Sequence, residues 1–296
     1  MSILKEIYEY KIDFVSNQKK INPQSKIESK LNINNINFPF FEKLNHQNSQ
    51  ISIIGEIKKA SPSLGKFTKE NINLINFAKA YEDNNISCIS VLTDEKYFNG
   101  KIDDLIKIRK EVQLPILRKD FIVDDYQIYE SKLIGADCIL IILSMLSQDD
   151  ADRFADLANE LKMDSIIEVH DYDELQRAKT MNSNMIGINN RNLNNFVTNL
   201  DTSINLSKHL DNCDKLIISE SGFHSKSDLS KIHTTTGISN YLIGEFLMKS
   251  DNVMCHFRQN TAIFFDLKGD QKFIGRVIPK ILASPTAMSE YPEKSK

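Results

Sequence analysis

The 296-residue chain lacks features that mark several large classes of protein. It has no run of about 18 consecutive apolar residues, the length that a membrane-spanning helix requires. Its 37 basic and 40 acidic side chains give a net charge of -3, so it lacks the excess of positive charge that nucleic-acid binding favours. The sequence therefore predicts a protein whose partners are neither a membrane nor a nucleic acid.

Cysteines are few and are not spaced as metal ligands. Cys88, Cys138, Cys213 and Cys255 are far apart and form no C-x-x-C or Cys/His pattern. The first ten residues, M-S-I-L-K-E-I-Y-E-Y, are amphipathic and partly acidic, unlike a secretory signal. We expect a cytoplasmic protein with reduced cysteines, no disulfide framework and no metal site.

The composition is that of an ordinary globular protein, with 41% hydrophobic and 26% charged residues. From residue 51 onward, short apolar runs rich in β-branched residues alternate with amphipathic stretches. The predicted strands cover residues 51–57, 86–92, 115–118, 138–142, 165–169, 185–189, 215–219 and 240–243. The predicted helices lie near residues 70–84, 102–111, 125–134, 148–161, 172–180, 202–210, 226–233 and 245–257.

Uninterrupted apolar strands separated by helices favour a parallel sheet with both faces covered. Eight such units close most simply into a (β/α)8 TIM barrel. The alternative is an open doubly wound sheet, which usually carries a glycine-rich phosphate turn after its first strand. No G-x-G-x-x-G or G-x-x-x-x-G-K-[ST] motif occurs, so the barrel is preferred.

Two segments flank the predicted barrel domain of residues 49–258. Residues 1–48 form an N-terminal helical extension, with an amphipathic helix over 3–20 and a weaker, partly irregular segment over 27–44. We interpret this extension as a cover over a core; alternatively, it closes one mouth of the barrel and contributes apolar side chains to a pocket. Residues 259–296 are predicted to be an extension of unknown role, and its last part, 283–296, with two prolines and several polar residues, is predicted to be loosely ordered.

Polar residues follow the predicted strands at the ends where a parallel barrel carries its active site. The first strand leads into Glu56, Lys58 and Ser61 within I-S-I-I-G-E-I-K-K-A-S-P-S-L-G-K-F. The other strand ends supply R-K-D (118–120), Glu168, N-N-R (189–191), S-E-S-G (219–222) and G-E (244–245). Converging charges are costly to bury unless they pair with one another or with a ligand, and such pairing shifts pKa values as acid–base catalysis requires.

Glycines after the last two strands indicate a separate anion subsite. Ser221-Gly222 and Gly244 offer backbone N–H groups that no Cβ obstructs, which suits a phosphate, and Ser61 could add a hydroxyl donor. A glycine after a strand also commonly does no more than form a turn.

Together these motifs resemble the indole-3-glycerol phosphate synthase family. The matching segments are I-I-G-E-I-K-K-A-S-P-S (53–63), S-V-L-T-D-E-K-Y-F-N-G (90–100), L-P-I-L-R-K-D-F-I-V-D-D-Y-Q-I-Y-E (114–130), I-I-E-V-H (166–170), I-G-I-N-N-R-N-L (186–193), I-S-E-S-G (218–222) and L-I-G-E-F-L-M (242–248). They span the whole barrel in order, and their combination is far more specific than any one motif.

The resemblance implies a small-molecule phosphosugar substrate, 1-(2-carboxyphenylamino)-1-deoxyribulose 5-phosphate, which closes into an indole ring with loss of carbon dioxide and water. It implies neither a metal nor an organic cofactor. Lys119 would be the general acid that protonates the ribulose carbonyl, and Lys58 would face the substrate carboxylate. The sequence leaves open whether Lys58 also takes part in proton transfer, and so how the two lysines divide the acid steps. Glu168 would be the opposing base or would stabilise a cationic intermediate, with Glu56 and Asn189 orienting the hydroxyls and the lysines.

The remaining implied contacts surround the substrate. Those to the body of the substrate or its network are Arg191, Glu220 and Ser221, and those to the phosphate are Ser61, Gly222, Gly244 and the backbone of Glu245. Within the barrel the chain departs from the family pattern at Leu64, where a basic residue is common, and at Phe223, where an aliphatic one is usual. The sequence leaves open whether the chain is a monomer or a weak oligomer and whether it associates with other enzymes of the pathway.

Two rival functions remain at this stage. Another phosphosugar barrel enzyme, such as an isomerase or a Schiff-base aldolase, would also need a lysine at a strand end. A non-catalytic barrel serving as a binding module would be expected to have lost one of the charged residues at the strand ends, and none is missing.

Overall fold

The computed structural model of the chain describes residues 3–31, 39–45, 51–61, 65–66, 73–193 and 195–248. Within these ranges, eight parallel strands form a closed barrel in chain order, with the last strand paired to the first. They are β1 (Ser52–Ile57), β2 (Cys88–Leu92), β3 (Ile116–Lys119), β4 (Cys138–Ile142), β5 (Asp164–Val169), β6 (Met185–Asn189), β7 (Leu216–Glu220) and β8 (Asn240–Ile243). The predicted fold class is confirmed.

Helices precede the barrel and follow its strands. They are α1 (Ile3–Ile21), α2 (Gln24–Glu28), α3 (Pro39–Leu44), α4 (Leu74–Asp83), α5 (Glu95–Phe98), α6 (Ile102–Glu111), α7 (Asp125–Leu133), α8 (Gln148–Glu160), α9 (Tyr172–Thr180), α10 (Asp201–Ser207), α11 (Lys226–Thr236) and α12 (Glu245–Met248). A 3-10 turn spans Leu143–Met145, and a two-residue strand pair joins Ala60–Ser61 to Gly65–Lys66. Four predicted features lie outside the described residues: residues 70–72 of the helix predicted over 70–84, the part beyond 248 of the helix predicted over 245–257, Leu64, and the tail 259–296.

Most helices that follow a strand start at a side chain that accepts a backbone N–H of the first turn. Such a cap satisfies donors that the helix itself leaves without a partner. The capping residues are Asn73, Asp94, Asp124, Ser147, Asp171 and Ser225. These caps fix where each loop ends, and therefore how far each loop extends over the carboxyl ends of the strands.

Alternation along the strands separates two apolar layers. Ile53 and Ile167 pack outward in the large cluster between strands and helices, whereas their neighbours Ile54 and Ile166 pack in the inner cluster of the barrel. Because side chains two residues apart lie on the same face of a strand, this parity determines which polar residues reach the interior.

The helix α3 lies against the inner cluster at the amino-terminal ends of the strands. Phe40 is fully buried there among side chains such as Cys88. At the start of β5, Asp164 Oδ2 accepts hydrogen bonds from the backbone nitrogens of Phe40 and Phe41, at 3.1 and 3.0 Å. Burial raises the pKa of Asp164 to about 6 in spite of these bonds.

Replacing Asp164 by alanine is expected to lower the free energy of unfolding by about 1–3 kcal/mol, because two buried N–H groups lose their acceptor. Asp164→Asn is the matched control, since its amide oxygen can still accept, and it should lose less. The pKa of Asp164 is higher in the folded chain than its ordinary 3.8, so stability contributed by this group falls as pH rises from 3.8 to about 6. Urea unfolding across that range should show this dependence in the wild type and not in Asp164→Asn.

A buried network of charges, which we call the α1–β3 ion-pair network, joins the first helix to the third strand. Lys11, 3% exposed, lies 2.8 Å from Asp94 and 2.6 Å from Asp120. Arg118 pairs with Asp120 at 3.2 Å and with Glu130 at 2.9 Å. Burial raises the pKa of Asp120, but Lys11 and Arg118 outweigh it and lower that pKa to about 2. The network therefore holds the residue that directly follows Lys119.

Candidate active site

A cleft opens at the carboxyl ends of the strands, above the inner apolar cluster. The predicted site residues that line it are Glu56, Lys58, Lys119, Glu168, Asn189, Arg191, Ser221, Gly222, Gly244 and Glu245. Their positions follow from the parity of the strands: Glu56 comes two residues after the inward Ile54, and Glu168 two after the inward Ile166. On the inward face of β1 and of β5, an apolar core residue is therefore followed, two positions later, by a charged residue of the site.

Lys119 is the centre of a cluster of buried charges. Its Nζ lies 3.0 Å from Glu220 Oε2 and 3.4 Å from Glu56 Oε2, and Glu56 Oε1 in turn binds Lys58 Nζ. Burial disfavours the ammonium, but Glu220, Glu56 and Glu168 outweigh it and raise the pKa of Lys119. Burial likewise opposes ionisation of Glu56, yet Lys58 and Lys119 lower its pKa to about 2. At neutral pH the lysine is therefore protonated and positioned to donate.

Glu220 lies behind Lys119. It is 0% exposed, and it does not belong to the described lining of the cleft. Burial, reinforced by the negative charge of Glu168, raises the pKa of Glu220 to about 7 although Lys119 opposes the shift. Among the described residues its Oε1 has no hydrogen-bond partner. A carboxyl group in this position can gain or lose a proton near neutrality next to the lysine.

Two glycines make room for these carboxylates. A Cβ on Gly187, in the middle of β6, would lie only 2.1 Å from Glu220 Oε1, and a Cβ on Gly244 would lie 2.4 Å from Glu56 Oε1. Any larger residue would push the carboxylates out of place. Gly244, which we predicted as a phosphate contact, therefore also has a steric reason to be glycine.

Glu168 faces the cleft from β5 and is 2% exposed. Asn189 Nδ2 donates to Glu168 Oε1 at 3.1 Å, while Asn189 Oδ1 accepts from the backbone nitrogen of Arg191 at 3.0 Å. Burial raises the pKa of Glu168, but contacts with His170, Lys119 and Asn189 outweigh it and lower that pKa. The carboxylate is thus ionised and can accept a proton.

The loop after β7 has the backbone shape expected of an anion subsite. Ser221 and Gly222 both adopt positive φ angles, 65° and 83°. Asn190 stabilises this turn because its Nδ2 donates to the carbonyl oxygens of Glu220 and Ser221, at 3.0 and 3.1 Å. Gly244 directly follows the neighbouring strand β8, Glu245 begins α12, and both residues line the cleft. The side chain of Ser61 lies outside the described residues.

Besides the polar side chains of Asp94, Asp120 and His224, the rest of the cleft wall is formed by apolar side chains. Leu4 and Ile7 come from α1, and the others are Leu92, Phe98, Phe121, Leu140, Ile142, Leu193, Phe196, Phe223, Leu242 and Ile243. A flat apolar group beside a charged end would fit such a surface. The first helix therefore contributes to the pocket, which was the alternative interpretation of the N-terminal segment, while α3 lies over the core.

Arg118 is not part of the cleft, although it belongs to the R-K-D segment at a strand end. Alternation turns it away from Lys119 towards α7, where it donates to the carbonyl oxygen of Gln127 and to Ser131 Oγ, both at 3.1 Å. Sequence reasoning assigned no role to Asn190, Gly187 or His170. The glycine in the middle of a strand was the available signal, because such a residue often marks a close approach of another group.

Within the described residues, no cluster of three or more His, Cys, Asp or Glu side chains is arranged to hold a metal ion. None of the described helices is long and apolar enough to cross a membrane.

Comparison with known proteins gives a consistent result. The family model described as indole-3-glycerol phosphate synthase matches residues 4–259. A protein of that name from Legionella pneumophila strain Paris is 43% identical over 252 residues, which cover 85% of this chain and 95% of the relative. The protein from Acetivibrio thermocellus is 44% identical over 216 residues, which cover 73% of this chain and 82% of the relative. The protein from Prochlorococcus marinus subsp. pastoris is 41% identical over 263 residues, which cover 87% of this chain and 88% of the relative.

Proposed function

The chain belongs to the indole-3-glycerol phosphate synthase family, and from this premise we propose how its site residues divide the work of the reaction. The enzyme is a carboxy-lyase of tryptophan biosynthesis. It closes 1-(2-carboxyphenylamino)-1-deoxyribulose 5-phosphate into indole-3-glycerol phosphate and releases carbon dioxide and water. The chemistry requires an acid for the ribulose carbonyl, a base, a site for the aromatic carboxylate and a holder for the phosphate.

Lys119 is the general acid in this proposal. Its ammonium, held between the buried carboxylates of Glu56 and Glu220, is the observation that carries the proposal. Donating a proton to the carbonyl oxygen makes the carbonyl carbon electrophilic towards the aromatic ring. Glu220, whose pKa is raised to about 7, is suited to return a proton to the lysine after the transfer.

Glu168 is the base, and Asn189 orients it. Once the new carbon–carbon bond has formed and carbon dioxide has left, a hydroxyl group must depart as water while a proton is removed from the substrate. The lowered pKa of Glu168 keeps it ionised for that step, and its charge also stabilises the cationic ring intermediate.

Lys58 holds the carboxylate of the substrate, and Glu56 orients both lysines. The apolar wall, including Leu4 and Ile7 of α1, receives the aromatic ring. In this arrangement the carboxylate lies near a cation before decarboxylation and loses that partner as carbon dioxide leaves.

The phosphate is assigned to the loops after β7 and β8. Gly222 and Gly244 leave backbone N–H groups open to an anion, Glu245 contributes through its backbone, and Ser61 adds a hydroxyl group. Ser221 and Arg191 complete the contacts to the substrate body. A substrate without phosphate should therefore bind more weakly, with a higher KM and a smaller change in kcat.

The Schiff-base aldolase rival is disfavoured by the charge state of Lys119. An amine that attacks a carbonyl must be neutral, which requires a lowered pKa, whereas the three surrounding carboxylates raise the pKa of this lysine. Borohydride reduction in the presence of substrate should therefore leave Lys119 without a covalent adduct, and a trapped adduct there would support the aldolase.

The direct test combines the purified chain with the synthesised anilino-deoxyribulose phosphate. Fluorescence should report formation of the indole product, with one carbon dioxide released per product formed. Absence of both signals from a folded protein would overturn the proposed function.

Gly187→Ala is expected to lower kcat by about tenfold to a hundredfold, because a shift of Glu220 on the scale of 1 Å would misplace Lys119. Glu220→Gln should also lower kcat. Since both changes act through the same contact, the double variant should lose less than the product of the two separate losses. Fully additive losses in log kcat would show that the glycine acts elsewhere.

We also propose that residues 1–48 and 49–258 work as one catalytic unit, with 259–296 as an appended segment.

Cys88, Cys138 and Cys213 are free thiols, which suits the reducing cytoplasm. Large exposed apolar side chains of the described residues are spread over α1, α7, α9 and the loop before α10, a distribution that fits a monomer or weak oligomer. Sedimentation of the full chain tests the last point.

A further inference from the structure

Next to Glu168 lies a histidine that the proposed mechanism does not use. His170 Nε2 is 3.3 Å from Glu168 Oε1, and His170 Nδ1 is 3.1 Å from Glu174 Oε2 in the first turn of α9. The same oxygen of Glu174 accepts a hydrogen bond from the backbone nitrogen of His170 at 2.7 Å. The imidazole ring is thus placed between two carboxylates.

This placement determines the charge of the ring. An ionised carboxylate can only accept, and a neutral imidazole carries a single N–H, so a neutral ring would turn a lone pair towards one of the two anions. An imidazolium presents an N–H to both. Burial opposes its charge, but Glu168 and Glu174 outweigh burial and raise the pKa of His170 to about 10.

We propose that His170 is a positioning residue whose imidazolium keeps Glu168 ionised and fixes the oxygen Oε1. Asn189 Nδ2 binds that same oxygen at 3.1 Å, which assigns Oε2 to the substrate. The Nε2 contact is at ion-pair distance without hydrogen-bond alignment, as is common at catalytic groups before substrate binds. This inference rests on the role of Glu168 given under the proposed function.

Other charges that act on this pair come from three elements. Lys119 on β3 favours ionisation of Glu168, and the negative charge of Glu168 in turn disfavours ionisation of Glu220 on β7. Glu174 on α9 faces the far side of the ring. The positive charge of Lys119 acts on Glu220, with which it is in direct contact, as well as on Glu168. The His170 ring, by contrast, pairs with Glu168 and with no other carboxylate in the described lining of the cleft.

The test is the pH dependence of kcat in His170→Gln. Without the cation, the pKa of Glu168 should rise, so the acidic limb of the profile should move up by about one to three pH units. At alkaline pH kcat should approach the wild-type value, and KM should change little. A loss by the same factor at every pH, with an unmoved limb, would indicate a merely structural role and overturn the inference.

Glu174→Gln gives an independent readout because it leaves both His170 and Glu168 in place. It removes one of the two anions that hold the proton, so the ring should become neutral at a lower pH than in the wild type, while the acidic limb of the kcat profile, where the ring still carries its proton, should stay near its wild-type position. Loss of the ring proton at the same pH as in the wild type, measured from the imidazole ¹⁵N signals of His170, would contradict the proposal. His209→Gln is the matched control, since that histidine is exposed in the turn after α10 and its loss should leave the profile unchanged.

The charge of the ring can also be measured without any assay of activity. The chain has six histidines, and the signal missing from His170→Gln identifies His170 in an imidazole ¹⁵N spectrum of the full protein. At pH 8 both ring nitrogens of His170 should be protonated. A neutral tautomer at that pH would contradict this inference, even if the enzyme is active. A protonated ring in an inactive protein would instead contradict the proposed function.

Discussion

Lys119→Met is expected to lower kcat by about 10²- to 10⁴-fold, the range that a positioned general acid contributes. Methionine keeps much of the side-chain volume but cannot donate a proton, and the substrate carbonyl would then have to be attacked without protonation. KM should change much less, because the ammonium acts mainly as charge develops in the transition state. Fluorescence of the indole product gives kcat and KM directly.

The control for this variant is Lys79→Met on α4. Lys79 pairs with Glu111, is half exposed and does not belong to the described cleft lining, so its loss should leave kcat unchanged. Circular dichroism of both variants checks that the barrel is intact. Near-normal turnover in a folded Lys119→Met protein would remove the lysine from its role as acid.

Arg118→Met is expected to produce the largest loss of stability, about 3–5 kcal/mol, because it removes the cation from a buried charge network. Arg118 is 2% exposed, pairs with Asp120 and Glu130, and also donates to Thr93 Oγ1 and Ser131 Oγ. Lys11 would remain as the partner of Asp120, whereas Glu130 would lose its partner in the network. The melting temperature should fall by on the order of 10 °C.

Arg153→Met is the matched control, since it removes the same charge from a surface ion pair. Arg153 is 51% exposed and pairs with Asp125 and Asp150, an arrangement worth less than about 1 kcal/mol. Equal losses of stability in the two variants would show that burial of the α1–β3 ion-pair network contributes nothing particular to the fold.

The barrel was accessible from the sequence because its strands are uninterrupted apolar runs and its helices are periodic. The predicted strands 51–57, 138–142 and 185–189 match β1, β4 and β6 to within one residue. Elements that are too short to show a period were missed, including α5 and the small strand pair after β1. Periodicity needs at least two turns of helix, and a four-residue helix offers one.

Most of the candidate site was likewise accessible, because the ends of parallel strands meet at one mouth. The sequence did not reveal which charged side chains pair with one another. Lys119 on β3 and Glu220 on β7 belong to strands on opposite sides of the barrel, and only the closure of the sheet brings them within 3.0 Å. Arg118 could have been excluded from the cleft by parity alone, since its neighbour Lys119 must point inward.

The cluster of His170 with Glu174 was within reach of sequence reasoning. The two residues are four apart across the start of a predicted helix, a spacing that often brings side chains together. What the sequence could not supply is that Glu168 lies on the other side of the same ring, because that contact depends on the path of the chain between β5 and α9.

The α1–β3 ion-pair network has a consequence for how this gene could be recombined. Exchanging the first 48 codons with those of another barrel would replace Lys11 while keeping Asp94 and Asp120, so the hybrid would carry two buried acids without their shared cation. Such a crossover would be tolerated only when the donor also encodes a cation at that position. Inheritance of the helix and of the third strand is therefore coupled, although more than 90 residues separate them in the sequence.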